Sequence, residues 1–139
     1  MLVADYDAWT QQIIDTFRST GGTVPQFGSD LVLLHHVGAR TGAERISPVM
    51  SFRTSDDGWL IVASKGGRPE NPAWFHNLKA HPDIQIEAAG DGLVDVHASV
   101  LTPEEREPAW ARITAAAPGF ADYEKRTTRV IPVLKLTRR

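Results

Sequence analysis

Two arginines lie five residues apart in the polar segment Arg40-Thr41-Gly42-Ala43-Glu44-Arg45. A guanidinium presents paired N–H donors that match a phosphate or a carboxylate, so two of them on one turn can bind an anion in bidentate fashion. Taken alone, the segment is also explained as a polar hairpin whose charges stay in water.

A second segment, Ala63-Ser64-Lys65-Gly66-Gly67-Arg68, follows directly after an apolar run. Two adjacent glycines let a backbone approach a ligand closely and present successive N–H groups to an anion or a carbonyl. Lys65 adds a positive charge, and Ser64 can donate or accept a hydrogen bond. Taken alone, this segment favours a solvated loop that reverses the chain. Neither segment has the glycine spacing of a Walker sequence or a dinucleotide fingerprint.

A third segment, Pro72-Ala73-Trp74-Phe75-His76-Asn77-Leu78, has the spacing of a short helix. Trp74 and Leu78 are four residues apart and share a face, which is typical of core packing. Asn77 lies three residues after Trp74, so its amide could project near the indole toward the edge of a bound ring. A helix that packs on the core and exposes this amide explains the same residues.

Other chemistry has little support in the sequence. His35 and His36 are adjacent in an apolar run and should point to opposite faces of a strand, and the remaining histidines lack zinc-ligand spacing. The absence of cysteine excludes disulfides and thiolate chemistry. No serine lies in a nucleophile elbow. The net charge of −2 gives no basis for binding nucleic acid. We therefore expect neither a metal site nor a hydrolytic triad.

The composition predicts one globular domain, residues 1–139, with residues 1–24 forming an N-terminal helix and loop. A hydrophobic fraction of 42% and a charged fraction of 23% suffice for a packed core. The sequence begins without the basic and apolar pattern of a secretory signal, and no stretch approaches the roughly 20 apolar residues of a membrane span. We expect a cytoplasmic protein.

The distribution of apolar and turn-forming residues predicts three helices and six strands. Asp56-Asp57-Gly58 marks a hairpin turn, Asn71 caps a helix that begins at Pro72, and Thr102 and Glu105 fit a capping box. Pro132 indicates an edge or a bulge in the last strand. The predicted order is a helix over 5–19, strands over 31–36, 46–53 and 59–63, a helix over 71–82, strands over 84–88 and 93–101, a helix over 102–117 and a strand over 130–134.

The links between most of these strands are too short for parallel crossovers, which predicts a largely antiparallel sheet. Six strands in 139 residues, with helices at the sides, predict a mainly β (α+β) protein built on a small barrel.

In their order and spacing, the three segments together resemble the deazaflavin-dependent nitroreductase and quinone reductase family, whose members use reduced coenzyme F420 on nitroimidazoles and quinones. The resemblance extends to Ala117–Tyr123 and to Arg129–Val133, and it covers about residues 31–136. It implies a split β-barrel like that of the FMN-binding pyridoxamine phosphate oxidases, which agrees with the strand count. It also implies hydride transfer from reduced F420 to a small organic acceptor such as a quinone.

The resemblance assigns site residues by position. Those that would hold the phosphate and acidic tail of the coenzyme are Arg40, Thr41, Gly42 and Arg45. Those that would line the deazaflavin ring and its ribityl chain are Ser47, Pro48, Val49, Ala63, Ser64, Lys65, Gly66 and Gly67. Trp74 and Asn77, like Lys65, match positions placed at the cofactor. Tyr123 matches a position beside the substrate and is the candidate catalytic residue, with water as the other source of a proton.

Three positions depart from the family pattern. The family's turn often has two successive basic residues, whereas this chain has Ala39 before Arg40. Ala117 and Phe120 occupy positions where the best-known nitroreductase of the family has tyrosines. Because hydroxyls that could orient a nitro-aromatic substrate are missing, a quinone is the better expectation for the acceptor.

Three alternatives stay open at this point. The same barrel could hold FMN, or the chain could bind the coenzyme without catalysis. The N-terminal helix could also lie on a membrane, although Asp5, Asp7 and Asp15 oppose attraction to anionic lipid. Split barrels of this kind often pair through edge strands, so a homodimer is a further expectation.

Overall fold

The computed structural model describes residues 2–25, 27–28 and 30–139, with side chains from Ala8 onward. The side chains of Asp5 and Asp7 therefore lie outside the described residues. The helices are α1 Leu2–Thr20, α2 Ala73–Ala80, α3 Pro103–Ala116 and α4 Gly119–Lys125, with a 3-10 turn at Lys65–Gly67. The strands are β1 Leu31–Val37, β2 Glu44–Arg53, β3 Trp59–Val62, β4 Asp83–Ala88, β5 Gly92–Val100 and β6 Val133–Arg138.

The six strands form a closed barrel in the order β1-β2-β3-β6-β5-β4, and every neighbouring pair is antiparallel. This confirms the predicted antiparallel barrel. Strand alternation sends one set of side chains inward, where Leu34, Ile61, Ile86 and Leu136 are among the fully buried residues. Phe75 and Leu78 of α2 join this cluster, so α2 lies over one end of the barrel.

The outward faces of two strands are covered by helices. Ile13, Ile14 and Phe17 of α1 pack on Leu31 and Leu33 of β1. A separate cluster joins β3 to α3 and α4, and its buried members are Leu60, Val62, Ile113, Phe120, Ile131 and Val133. Within the described residues, no helix has both the length and the apolar character needed to cross a membrane.

The predicted hairpin turn and the start of the third predicted helix are confirmed. Asp57 adopts a positive φ of 64° in the hairpin turn between β2 and β3. Thr102 Oγ1 accepts from the Glu105 N–H at 3.2 Å, and Glu105 Oε1 accepts from the Thr102 N–H at 2.9 Å. This reciprocal pair is the capping box, and it fixes the start of α3.

Two predictions were wrong. Asn71 does not cap α2: the capping residue is Pro72, and the Asn71 side-chain oxygen accepts a hydrogen bond from Arg129 instead. The last strand does not cover 130–134 but begins at Val133, which pairs with Val62, and runs to Arg138. Val130 is 72% exposed because it precedes this pairing. The sequence reading also missed α4 and the 3-10 turn.

Candidate functional site

A gap opens where β2 and β3 stop pairing. The two strands are paired only from Ser51–Ile61 to Arg53–Trp59, so β2 continues from Met50 back to Glu44 without β3 beside it. In an unbroken ladder Ala63 would lie opposite Val49, but the Ala63 N–H donates instead to the Pro132 carbonyl at 2.9 Å. We call the space between the free edge of β2 and the segment Ala63–Arg68 the gap.

The backbone of β2 presents unpaired groups to this gap. The Ser51 N–H donates to the Asp30 carbonyl at 2.7 Å, so the backbone of odd-numbered residues faces β1 and that of even-numbered residues faces the gap. Pro48 consequently loses no ladder hydrogen bond, which explains how a proline fits within this strand. The carbonyl of Pro48 and the backbone groups of Ile46 have no strand partner on this side among the described residues.

The Ala63–Arg68 segment, called the bend, has an unusual backbone. Ser64 is right-handed helical, and Lys65, Gly66 and Gly67 follow with positive φ of 46°, 64° and 80°. Left-handed geometry costs a non-glycine residue about 1 kcal/mol, so Lys65 is mildly strained. A right-handed residue followed by left-handed ones makes a concavity of N–H groups that suits an anion or a carbonyl.

The turn hydrogen bonds of the bend leave donors free inside that concavity. The Gly67 N–H donates to the Ser64 carbonyl at 2.9 Å, and the Arg68 N–H donates to the Lys65 carbonyl at 3.2 Å. The N–H groups of Lys65 and Gly66 have no acceptor in the described part of the chain. The bend therefore offers two adjacent backbone donors at the side of the gap.

Arg129 holds the bend in this shape. Its guanidinium donates to the carbonyls of Arg68 at 2.9 Å, Ala63 at 3.2 Å and Ser64 at 2.8 Å, and to Asn71 Oδ1 at 2.8 Å. Burial lowers the pKa of Arg129 below its ordinary value, yet an arginine stays charged. One cation thus fixes the bend and ties it to the start of α2.

Helix α4 packs directly on the bend at Gly67. A Cβ on Gly67 would lie 2.6 Å from the Tyr123 carbonyl oxygen and 2.9 Å from Arg126 Cβ, so only glycine fits here. The half-buried ring of Tyr123 meets Phe120 edge to face at 5.6 Å, and the Arg126 guanidinium lies 5.5 Å from the Tyr123 ring centre. The candidate catalytic tyrosine is therefore beside the bend.

The other predicted anion-binding segment is a tight turn over Gly38–Ala43, called the turn. The Gly38 N–H donates to Ala43 and the Gly42 N–H donates to Gly38, each at 2.9 Å, and Gly42 has φ of 71°. Thr41 Oγ1 accepts from the Ala43 N–H at 3.2 Å, so Thr41 stabilises the turn. Arg40 and Arg45 are exposed and form no ion pair with any described residue.

A chain of side chains connects the turn to α2 and β2. The Ala39 N–H donates to Asn77 Oδ1 at 2.9 Å, Asn77 Nδ2 lies 2.9 Å from His36 Nδ1, and His36 Nε2 lies 2.8 Å from Ser47 Oγ. Asn77 is 7% exposed and His36 is 2% exposed. We call these four groups the polar chain.

His36 is neutral within the polar chain. Its pKa is lowered to about 4, chiefly by burial, with smaller contributions from the positive charge of Arg45 and from His35. Arg45 is the residue opposite His36 across β1 and β2, so the two side chains share a face.

The predicted ring-lining residues divide between the two faces of β2. Ser47 and Val49 point inward, and Val49 and Trp74 are half-buried and pack on the barrel core. Pro48 points to the opposite face, so its contribution is its backbone at the gap. Helix α2 carries both Trp74 and Asn77, which places the two predicted side chains on one rigid element.

Two of the predicted cofactor-binding residues, Lys65 and Arg45, also have neighbours outside the gap. Lys65 Nζ pairs with Glu70 Oε1 at 3.1 Å on the surface, and that carboxylate would exchange for a ligand at little cost. Arg45 lines a cavity of about 600 Å³ together with Asp83 and Arg139, and none of the described residues that line it belongs to the bend. The structure thus connects the turn and the bend through α2, without direct contact between Arg45 and the bend.

Sequence reasoning missed His36 and Arg129 as site residues. His36 was noted only as one of two adjacent histidines, and Arg129 only as part of a matching block. A signal for His36 was available, because a polar residue on the inward face of a strand needs a buried partner.

The chain matches the model of the F420H(2)-dependent quinone reductase family over residues 9–138. It is 41% identical over 113 residues to an F420H(2)-dependent quinone reductase of Mycobacterium tuberculosis H37Rv, covering 78% of this chain and 73% of that protein. A solved F420-H2 dependent reductase, FDR-A, is 36% identical with a TM-score of 0.68, covering 77% of this chain and 93% of the other.

Another solved structure, described as a domain-swapped dimer, is 32% identical with a TM-score of 0.72 and covers 94% of this chain and 98% of its own. A pyridoxamine 5'-phosphate oxidase-like protein of Listeria innocua shares the fold alone, with 10% identity and a TM-score of 0.54 over 79% of this chain and 84% of the other. The predicted kinship of fold with that class is confirmed.

Proposed function

Because this chain belongs to the F420H(2)-dependent quinone reductase family, we propose that it binds reduced coenzyme F420 and reduces a quinone with it. The observation that supports this most directly is the gap, where the open edge of β2 faces a bend with two free N–H donors.

The residues present fit the anionic part of the coenzyme. Its phosphate and acidic tail need cations that are not already paired, and Arg40 and Arg45 meet this condition among the described residues. The turn that carries Arg40 is fixed by Asn77, so the guanidinium starts from an ordered backbone. Pre-ordering of this kind lowers the entropy lost on binding.

The residues present also fit a flat, polar-edged ring system. Trp74 and Val49 offer apolar surface, and the free N–H groups of Lys65 and Gly66 can donate to carbonyl oxygens of the ring. When bound, reduced deazaflavin supplies a hydride from its central carbon. As the hydride leaves, negative charge develops on the quinone oxygen and not on the deazaflavin ring, so these backbone donors would serve to hold the ring in position.

A quinone that accepts a hydride becomes a hydroquinone anion and needs one proton on its oxygen. We assign this proton to Tyr123 Oη, whose hydroxyl has no hydrogen-bond partner in the described part of the chain. Phe120 and Arg126 hold the ring of Tyr123 in place, so the hydroxyl is oriented before the acceptor arrives. Solvent returns the proton to Tyr123 afterwards.

The test is a titration of the purified protein with reduced F420, followed by turnover with menadione. We expect saturable binding and oxidation of one reduced coenzyme for each quinone reduced. Tyr123→Phe should retain the affinity for reduced F420 and lose about tenfold or more in kcat, in line with general acid catalysis. Absence of binding by the wild-type protein would reject the proposed function.

We also infer a homodimer, for which the domain-swapped relative is the support. Light scattering of the purified chain measures this directly. A monomer at micromolar concentration, with full activity, would show that the site is complete within one chain.

A further inference from the structure

The polar chain has a fixed direction, which is set by a backbone group. The Ala39 N–H can only donate, so the atom of Asn77 that meets it at 2.9 Å must be the acceptor Oδ1. The Nδ2 amide of Asn77 then faces His36 Nδ1 at 2.9 Å. A reversed amide would place two donors against each other at Ala39.

This direction determines which nitrogen of His36 carries its proton. Because Asn77 Nδ2 donates, His36 Nδ1 must be the unprotonated acceptor, and the proton of the neutral ring is on Nε2. His36 Nε2–H therefore donates to Ser47 Oγ at 2.8 Å. A doubly protonated ring would turn Nδ1 into a donor that opposes Asn77.

The tautomer of His36 determines how the hydroxyl of Ser47 can hydrogen-bond. Its oxygen accepts from His36, so its hydroxyl hydrogen remains to be donated, and no acceptor for it exists among the described residues. Ser47 is half-buried, points inward on β2, and lies two residues from Val49 in the part of the strand that runs past β3. The hydrogen is thus available to a ligand beside this face of β2.

We propose that His36 is a positioning residue, which leaves the hydroxyl hydrogen of Ser47 free for an acceptor atom of the bound coenzyme. The ligand part of this statement rests on the proposed function, whereas the tautomer of His36 is a property of the protein alone. His36 does not touch the coenzyme in this arrangement, because Asn77 and Ser47 occupy both of its ring nitrogens. It acts through Ser47.

The first test is a long-range ¹H–¹⁵N histidine spectrum of the wild-type protein at neutral pH, without coenzyme. The expected result is a His36 ring protonated at Nε2 and unprotonated at Nδ1. Asn77→Asp supplies the contrast, since a carboxylate next to Nδ1 accepts a proton and should move protonation to Nδ1. A wild-type ring protonated at Nδ1 would overturn the proposal without requiring any variant to fold.

The second test measures the Kd for reduced F420 in Ser47→Ala, His36→Phe and the double variant. One lost hydrogen bond predicts about a tenfold rise in Kd for each single variant and no further rise in the double variant, because His36 acts through Ser47. Turnover at saturating coenzyme should change much less. The matched control is His35→Gln, whose side chain points to the opposite face and contacts Glu87.

The outcomes separate this proposal from the function on which it rests. A wild-type protein that does not bind reduced F420 rejects the proposed function, and with it a ligand for Ser47. Wild-type binding together with an unchanged Kd in Ser47→Ala rejects the positioning role alone. Losses that multiply in the double variant also reject it, since His36 would then act independently of Ser47.

Discussion

The bend and the turn both reverse the chain beside α2, but they use their cations in opposite ways. In the bend a half-buried cation, Arg129, donates to three backbone carbonyls and to Asn71. In the turn the neutral amide of Asn77 holds the backbone, and Arg40 stays in solvent without a carboxylate partner in the described part of the chain. A cation that satisfies carbonyls stabilises the protein, whereas a cation without a partner is available to a ligand.

The largest expected effect tests the stabilising role of Arg129. Arg129→Met leaves three partly buried carbonyls and the Asn71 oxygen without their donor, so we expect a loss of about 4 kcal/mol in the free energy of unfolding. Urea denaturation measures it. Arg126→Met is the matched control, since Arg126 is exposed and its guanidinium lies over the ring of Tyr123, and it should cost less than about 1 kcal/mol. Equal losses would show that Arg129 does not hold the bend.

The next effect tests whether the bend needs its contact with α4. Gly67→Ala places a methyl group 2.6 Å from the Tyr123 carbonyl at a φ of 80°, and we expect a loss of about 3 kcal/mol. Gly66→Ala is a control with the same handedness, because its φ is 64° and nothing lies within 4 Å of the added methyl. Its expected cost is about 1 kcal/mol. Equal costs would mean that backbone conformation, and not packing on α4, selects glycine at Gly67.

Arg129 and His36 also show which parts of the structure could be predicted from the sequence and which could not. Alternating apolar residues and turn-forming residues predict the antiparallel barrel, because strand pairing depends on patterns within each segment. The role of Arg129 depends on carbonyls more than 60 positions away, and that of His36 on an amide 41 positions away. No local pattern reports such contacts. The start of the last strand was misplaced for the same reason, since its pairing with Val62 determines where it begins.

The third effect concerns the neutral groups of the polar chain and depends on pH. His36 has a pKa of about 4 in the folded protein against 6.5 ordinarily, chiefly because it is buried, with the charges of Arg45 and His35 adding to this. Between these values the unfolded chain binds the extra proton, so stability is retained above about pH 6.5 and falls as the pH falls toward 4. We expect a loss of about 2 kcal/mol near pH 5.

Urea denaturation between neutral pH and about pH 5 measures this slope. His36→Gln removes the titrating group while keeping an uncharged polar side chain, so its stability should fall less over the same range. If the free energy of unfolding of the variant changed with pH as much as that of the wild-type protein, the acid sensitivity would belong to groups other than His36.

The smallest effect tests whether the free cations of the turn serve a ligand. Arg40→Gln and Arg45→Gln should each raise the Kd for reduced F420 about tenfold and make binding less sensitive to salt, because each removes one charge-assisted contact to the anionic tail. The free energy of unfolding should not change, since neither residue has an ion-pair partner among the described residues. Arg112→Gln is the control, as Arg112 contacts the Arg53 carbonyl at the far end of β2.

The two arginines also differ from each other, which sharpens the same measurement. Arg40 is in the turn, whereas Arg45 lines the cavity that also contains Asp83 and Arg139. If both substitutions weaken binding, the tail extends from the turn toward that cavity. If only Arg40→Gln does so, the charge of Arg45 acts on His36 and not on the coenzyme. If neither does, the turn is not the anion site, and the contrast with the bend reduces to a difference in how two loops are stabilised.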